Sequence, residues 1–515
     1  MFKTNRELKI LIGILLLTVL LRLPGFFWGY KNFDLFQTDE MQHYGIARNL
    51  IHQFDPAVIP EAEVTDQFNG RGLGTQMALL GYPFLKLFHW SSYILLPIGR
   101  LLSIIYSVLL VWLVFWILRR ESGDGWLALL SAALIGIVDL AVTQGHYGVP
   151  DTGYVFWALF AFYSTYVLWK SPSAVMRLPV LLGATLSVAM AFSFRFDVVP
   201  AVALFGVLIW NGLRRHLDVK TFWWTLAAAA VLCAGFFYLS VGFNYNIAEF
   251  LKSKKELFEG GYDIVQNGKY THFLTNPLQY LFALLGGTSI FIFAASIISK
   301  WQLIRRKLEI PIAGWLRFLF AAMAAEFFFL WIGDATFVRR AIIFLPLMAM
   351  LAAVAMLGWR RWLIGAAIGY TLALTIISQY AFFKDNRYAA QEYLRQEHSS
   401  AAVAYSPYAK VKGAAFVGIA PKIAKADLLV MHEASYGRYG KNFTTPFMTK
   451  PSCCADVFLC LPDECSFTQQ LFRGDLPYRL VKTFPIWHPF PERLLFKRLF
   501  GTYETFLGDV LIYQR

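Results

Sequence analysis

Charged residues and cysteines are both scarce in this chain of 515 residues. Only 16% of the residues are charged, whereas a soluble domain averages roughly 25%. Hydrophobic residues reach 57%, and they concentrate in blocks of about 20 residues, the length that a helix needs to cross a bilayer. The scarcity of charge therefore excludes an ordinary soluble globular protein and predicts a polytopic α-helical membrane protein.

The apolar blocks predict eleven transmembrane helices with the N-terminus in the cytoplasm. The first block lacks the small-x-small cleavage site of a signal peptide, so we expect an uncleaved span. Every loop assigned to the cytoplasm carries basic residues, as the positive-inside rule requires, and this explains the net charge of +14 without nucleic-acid binding. The predicted spans are residues 8–27, 92–118, 126–144, 152–169, 178–194, 198–213, 222–243, 277–299, 310–332, 341–359 and 362–383.

Three polar segments fall on the extracytoplasmic side of this transmembrane module, which comprises residues 1–383. They are a first outer loop at residues 28–91, a second at residues 244–276 and a C-terminal region at residues 384–515. The charges of the second loop fit a helix lying at the membrane interface. In the C-terminal region, apolar runs such as ADLLVMH alternate with helix-like stretches such as DNRYAAQEYLRQE, which predicts a small α/β domain.

Four of the five cysteines lie close together in the C-terminal region, at Cys453, Cys454, Cys460 and Cys465. On the oxidising side of a membrane, an even cluster of this kind predicts two disulfides. A zinc site is the alternative, but the adjacent pair does not match the usual C-x2-C spacing. Cys233 stands alone within a predicted span, where we expect a packing role.

Residues 36–50, FQTDEMQHYGIARNL, place two adjacent acids directly after the first span. If the stretch is helical, Asp39 and His43 share one face, as do Glu40 and Tyr44, and Thr38 can act as the N-cap. The acids can simply complement the helix dipole. Their position on the predicted outer face of a membrane protein favours a functional role instead.

Further ionisable residues lie at or near the predicted outer ends of spans, where such groups are costly and usually face a cavity. We expect them to line one polar cavity with the Asp-Glu pair. Several have a structural alternative: Asp151 as a helix cap, Arg195 as the partner of Asp197, and the paired arginines Arg339 and Arg340 as headgroup anchors. The residues are His146, Asp151, Arg195, Asp197, Asp334, Arg339 and Arg340, and Arg100 lies deeper within its span.

In their order along the chain, these features resemble the GT-C glycosyltransferases, in particular the group that contains the protein O-mannosyltransferases and the lipid A aminoarabinose transferase. The first outer loop opens with Asp39-Glu40, and GRLLSIIYSVLLVWLVFWILRR resembles the second span of the family. It leads to an HYxxxD segment at residues 146–151, and FVRRAIIFLP places Arg339 and Pro346 on family landmarks.

The chain also departs from the family pattern at three basic positions. Arg340 stands where the family usually has tyrosine, and Arg71-Gly72-Leu73 replaces a turn like Lys-Pro-Pro. Arg195 stands where a lysine is common. All three positions carry a positive charge in this chain.

The resemblance implies an extracytoplasmic transfer of a sugar from a polyprenyl-phosphate donor to a hydroxyl on a protein, lipid or glycan acceptor, with inversion. Asp39 would be the general base, with Glu40 and Asp151 orienting the acceptor or the base. No cofactor is firmly implied, although these three carboxylates suit a divalent cation. The implied substrate-binding residues are Arg339, Arg195, Arg71, His146, Tyr44, His43 and Arg340.

A multi-pass protein of a bacterial inner membrane is the expected setting. Two other classes share the intramembrane charges: a transporter, and a polymerase or ligase of envelope polysaccharide. A transporter usually has paired broken helices in two halves, which the sequence does not show. A polymerase or ligase usually lacks the early Asp-Glu loop.

Overall fold

A computed structural model describes the backbone of most of the chain. The described residues are 5–29, 38–61, 70–171, 178–195, 197–214, 216, 218–241, 265–266, 269–270, 275–304, 311–332, 338–406, 409, 415–416, 426–436, 462–486 and 507–515. The side chains of residues 38, 39, 178, 265–266, 269–270, 275–276, 279, 332, 338, 415–416, 434–435 and 462–465 are outside this description.

Helices dominate the described residues. The helices before the second outer loop are α1 (Asn5–Leu20), α2 (Leu23–Phe27), α3 (Thr38–Phe54), α4 (Gly72–Phe88), α5 (Leu95–Ser122), α6 (Gly125–Ile137), α7 (Asp139–Gln144), α8 (Asp151–Lys170), α9 (Leu178–Arg195), α10 (Val199–Leu213) and α11 (Val219–Val241). The later ones are α12 (Thr275–Thr288), α13 (Ile290–Ile304), α14 (Ala313–Ile332), α15 (Leu345–Met356), α16 (Arg361–Phe383), α17 (Asn386–Glu397), α18 (Glu433–Tyr436) and α19 (Pro462–Arg473). Two 3₁₀ helices, Ser92–Ile94 and Val338–Phe344, lead into α5 and α15.

Among the described residues, six helices are long and apolar enough to cross a membrane, or seven if one bent pair is a single span. Three shorter apolar helices, α6, α9 and α10, accompany them. Each of the eleven predicted spans coincides with a helix or with two helices separated by a break. The polytopic helical architecture is therefore confirmed, whereas the count of eleven and the orientation stay predictions.

The most buried helices form the centre of the bundle. In the most apolar 18-residue stretch of the helix that begins at Ser92, 67% is buried inside the fold, and in that of the helix that begins at Arg339, 78% is buried. In α11 the share is only 17%. The core contains residues of α5, α6, α8 and α15, including Phe115 and Phe162, neither of which is exposed. Apolar side chains of α11 instead face outward, as expected for a helix at the lipid boundary.

Two apolar stretches are interrupted by breaks between helices, and glycines lie close to both, at Gly286-Gly287 and at Gly136. α12 and α13 meet at an angle of 120°, and Ser289 between them has a φ of 94°. α6 and α7 are separated by Val138 in an extended conformation. Arg22 donates to the carbonyls of Gly136 (3.3 Å) and Ala141 (3.0 Å) on the two sides of this second break. Its guanidinium thus satisfies backbone acceptors that the interruption leaves available.

The C-terminal region contains a five-stranded mixed sheet. The order is β4 (Ala415–Phe416), β3 (Val403–Tyr405), β5 (Leu428–His432), β7 (Val510–Gln514) and β6 (Arg479–Phe484). β3 is parallel to β4 and β5, and β7 is antiparallel to β5 and β6. This confirms the small C-terminal α/β domain, and its boundary at residue 384 stays a prediction. The other two strands among the described residues are β1 (Val265–Gln266) and β2 (Lys269–Tyr270).

The beginning of the C-terminal region is fastened to the end of the first span. The indole of Trp28 donates to Asp385 at 2.7 Å, and the backbone N–H of Gly29 donates to the Tyr388 hydroxyl at 2.7 Å. Arg387 forms an ion pair with Asp385 and lies over the Trp28 ring. We call these five residues the Trp28 latch.

Candidate functional site

Glu40 forms a buried ion pair with Arg100. Nε of Arg100 lies 2.8 Å from Oε1 of Glu40, and Nη2 lies 2.8 Å from Oε2, which is a bidentate geometry. Both side chains are only 2% exposed. Glu40 is therefore bound on both carboxylate oxygens within the fold.

The same pair ties together three separate segments of the chain. Nη1 of Arg100 donates to the carbonyls of Gly25 (3.1 Å) and Phe26 (3.0 Å), and also to that of Trp28. Oε1 of Glu40 accepts a hydrogen bond of 2.6 Å from the backbone N–H of Gly148. The end of the first span, the first turn of α3 and the loop before α8 are thus fixed against one another.

This arrangement decides where the two predicted catalytic aspartates lie. Asp39 belongs to the first turn of α3, next to Glu40, and its side chain is outside the described residues. Asp151 opens α8, three residues after Gly148. The hydrogen bond between Glu40 and Gly148 therefore joins the two segments that carry Asp39 and Asp151.

Asp151 is buried and paired with Arg195. Nη1 of Arg195 lies 3.0 Å from Oδ1 of Asp151, whose side chain is 4% exposed. The guanidinium of Arg195 also lies over the ring of Tyr154, at 5.4 Å from the ring centroid. The ion pair of Arg195 is therefore with Asp151 and not with the predicted local partner Asp197, because α8 and α9 pack side by side.

A second buried acid, Glu326 of α14, joins this group through Tyr154. The Tyr154 hydroxyl lies 2.7 Å from Oδ2 of Asp197 and 2.9 Å from Oε1 of Glu326. Glu326 is 1% exposed. Sequence reasoning missed it, although Glu326 is the single acidic residue in the sequence of α14 and an acid in a predicted span is a recognised functional signal.

Arg71 lies beside the end of α9 that carries Arg195. A Cβ atom built on Gly70 would overlap the carbonyl of Phe194, and one built on Gly72 would lie 2.6 Å from Oγ of Ser193. Both glycines therefore allow the backbone around Arg71 to approach the last turn of α9. The contact brings the backbone of Arg71 close to that of Arg195, so two of the predicted phosphate ligands lie on neighbouring segments.

Arg339 and Arg340 begin the 3₁₀ helix Val338–Phe344, which packs against α8 and α12. Both side chains are half-buried. Arg340 interacts electrostatically with Asp151. The guanidinium group of Arg340 thus belongs to the same charged neighbourhood as Arg195.

His43, Tyr44 and His146 are buried among other side chains. The Tyr44 hydroxyl shares a hydrogen bond of 2.9 Å with Ser92, and burial lowers the pKa of His43 to about 4. The ring of His146 packs edge-on against Phe382, and burial and then the charges of Arg100 and Arg22 lower its pKa. All three side chains are buried in the fold, and their role in substrate binding stays a prediction.

Several predicted features fall outside the described residues, namely Asp334 and Cys453, Cys454 and Cys460. The side chain of Cys465 is also outside them. Within the described part, no group of three or more His, Cys, Asp or Glu side chains is arranged to hold a metal. A cation at Glu40 would compete with Arg100 for both carboxylate oxygens. Cys233 is a free, half-buried cysteine in α11.

No protein-family model matches the chain, and no curated protein matches it in sequence. Solved structures do resemble it. ArnT from Cupriavidus metallidurans bound to undecaprenyl phosphate matches with a TM-score of 0.50 and 13% identity, covering 84% of this chain and 94% of ArnT. The archaeal oligosaccharyltransferase AglB from Archaeoglobus fulgidus, in complex with an inhibitory peptide and a dolichol-phosphate, matches with a TM-score of 0.48 and 14% identity, covering 100% of this chain and 89% of AglB.

The likeness to ArnT extends over most of both chains, so it includes the helical bundle and not a single motif. The resemblance seen in the order of sequence features and the likeness seen in the arrangement of the helices thus point to the same fold. The chain has the GT-C fold.

Proposed function

We propose that the protein is a membrane glycosyltransferase that moves a sugar from a polyprenyl-phosphate donor to an acceptor hydroxyl. The observation that carries this proposal is the junction made by Glu40, which brings the Asp39 and Asp151 segments together beside several arginines. The GT-C fold supports it, since ArnT with that fold was solved with undecaprenyl phosphate bound.

In this proposal Asp39 is the general base. The acceptor oxygen attacks the anomeric carbon of the sugar, the bond from that carbon to the phosphate oxygen breaks, and Asp39 takes the hydroxyl proton. Direct displacement inverts the configuration at the anomeric carbon. Glu40 acts through the backbone, because its carboxylate is held by Arg100 and fixes the first turn of α3. Asp151 orients Arg195 or the acceptor.

Positive charge for the leaving phosphate comes from guanidinium groups. Arg195 and Arg340 share the neighbourhood of Asp151, and the backbone of Arg71 meets the last turn of α9. Arginine suits this role because its planar fork binds two phosphate oxygens at once. Charge that is already in place where negative charge develops lowers the barrier of the transfer.

The proposed donor also explains why the site belongs to a membrane protein. A polyprenyl tail is soluble only in the bilayer, so its phosphate must be met at the membrane surface or within a groove between helices. We place the reaction on the extracytoplasmic side of a bacterial inner membrane, with a protein, lipid or glycan as acceptor, because the acidic first loop follows a span whose N-terminal flank is basic.

The test supplies purified protein in detergent or nanodiscs with a polyprenyl-phosphate sugar and measures release of polyprenyl phosphate. We expect Asp39→Asn to reduce turnover about 10²–10⁴-fold, the usual contribution of a general base. The matched control is Asp55→Asn, one residue beyond the opposite end of α3, where the carboxylate binds Lys86 at 2.9 Å. Wild-type turnover by folded Asp39→Asn protein would remove Asp39 from the role. Solute uptake without donor cleavage by the wild type would favour a transporter.

A further inference from the structure

The Tyr154 hydroxyl is in contact with two carboxyl groups but carries one proton. Its oxygen lies 2.7 Å from Asp197 and 2.9 Å from Glu326. A phenol can donate to only one acceptor through that proton, so the second contact is a hydrogen bond only if the other carboxyl is protonated. Asp197 is less buried and also accepts from the backbone N–H of Val199 at 3.0 Å, which favours its charged form.

Glu326 is therefore the carboxyl that suits the neutral form. It is 1% exposed and lies in a helix long and apolar enough to cross a membrane. A carboxylic acid has a donor and an acceptor, so neutral Glu326 can donate to Tyr154 while Tyr154 donates to Asp197. The chain of hydrogen bonds is then complete and fixes the phenol ring.

The fixed ring supports Arg195. The guanidinium of Arg195 lies 5.4 Å from the centroid of Tyr154 and 3.0 Å from Asp151. The ring and the carboxylate therefore hold the guanidinium from two directions. The net charge of this group also affects anion binding. When Glu326 is neutral, the charges of Arg195 and Arg340 balance those of Asp151 and Asp197. An ionised Glu326 would add a negative charge and oppose the binding of an anion.

We propose that Glu326 is a positioning residue that, as a neutral acid, holds Arg195 through Tyr154 in the orientation that binds the phosphate of a polyprenyl-phosphate ligand. The inference rests on the proposed function for the identity of that ligand. It assigns a role to an acid that the transfer chemistry does not otherwise use, and it predicts that neutrality at this position is needed for phosphate binding.

The test measures binding of undecaprenyl phosphate alone, and separately the KM and kcat for donor cleavage. We expect Glu326→Ala and Tyr154→Phe to weaken binding about tenfold or more, because each breaks the hydrogen-bond chain. Glu326→Gln, which is neutral and retains a donor and an acceptor, should recover most of the lost affinity. Unchanged affinity in Tyr154→Phe, or a loss in Glu326→Gln as large as in Glu326→Ala, would overturn the proposal.

The matched control is Glu121→Ala. Glu121 accepts from the Tyr163 hydroxyl at 2.8 Å and also binds Lys170 at 3.1 Å, so it forms an acid–tyrosine contact in the other half of α8. We expect the control to leave undecaprenyl phosphate binding unchanged. Should Glu326→Ala fail to fold, Tyr154→Phe and Glu326→Gln decide the question. A wild-type protein that binds undecaprenyl phosphate but never cleaves a donor contradicts the proposed transfer and leaves the binding comparison intact.

Discussion

The ion pair between Glu40 and Arg100 makes a quantitative prediction about stability. Glu40→Gln removes the negative charge while changing the side-chain volume very little. Arg100, 1% exposed, then keeps its carbonyl partners but loses its counter-charge. Removing one partner of a buried pair costs about 3–5 kcal/mol, because the remaining charge stays in a medium of low polarity. We expect Arg100→Gln to cost a similar amount.

The double variant Glu40→Leu with Arg100→Met separates this explanation from a simple loss of contacts. An apolar pair of similar volume leaves no uncompensated charge, and such replacements are often neutral or stabilising. Because the double variant also loses the hydrogen bonds to Gly25, Phe26 and Gly148, we expect it to cost some stability but clearly less than the sum of the two single variants. Reversible unfolding in mixed micelles gives the free energies for all four proteins. Additive costs in the double variant, or a loss below about 1 kcal/mol in both single variants, would refute the reasoning.

The Glu40 variant also tests whether the ion pair positions the first turn of α3 for the reaction. If the pair fixes the first turn of α3, folded Glu40→Gln protein should lose about 10²-fold in donor cleavage, because a displacement of about 1 Å at a reacting group has an effect of that size. Asp55→Asn serves as the control, since it removes an acid from an exposed pair with Lys86 and should change both stability and turnover far less.

Two further predictions concern buried groups near the site. Gly25→Ala should destabilise the protein by about 1–3 kcal/mol, because a Cβ atom there would overlap the imidazole of His146, whereas Gly13→Ala, with no atom within 4 Å, should not lower the melting temperature. Since burial lowers the pKa of His43 from 6.5 to about 4, the unfolded chain takes up a proton on acidification before the folded protein does. Stability should therefore fall by about 3 kcal/mol between pH 6.5 and pH 4, and His43→Asn should remove that part of the slope in unfolding measured across the range.

The sequence was sufficient for the architecture because apolar blocks and basic loops are local signals. It also indicated that Asp39, Asp151, Arg195 and Arg71 occupy neighbouring segments, although their roles stay predictions. It could not show which charges pair. Glu40 binds Arg100 across 60 residues of sequence, and helical spacing gives only the direction in which a side chain points.

The breaks in the helices were also beyond sequence reasoning. Glycines precede both Ser289 and Val138, but a glycine alone does not signal a break, since Gly13 lies within the uninterrupted helix α1. Both conformations depend on contacts with distant residues. The hydroxyls of Ser289 and Thr371 share a hydrogen bond of 2.8 Å, and Arg22 donates to the carbonyls of Gly136 and Ala141 on the two sides of Val138. Glu326 was visible in the sequence as an acid within a predicted span, but its contact with Tyr154, which also contacts Asp197, could be seen only in the structure.

The Trp28 latch has a consequence for the biosynthesis of the protein. Trp28 and Asp385 are separated by 357 residues, so a ribosome adding about 5–20 residues per second needs roughly 20–70 s to reach the second after the first. During that interval Arg100 has no support from the latch, even though the first spans have already entered the bilayer. A nascent chain that ends before Asp385 therefore lacks the hydrogen bond to the Trp28 indole. The latch that supports the first helix pair is thus completed only after every helix of the bundle up to α16 has been translated.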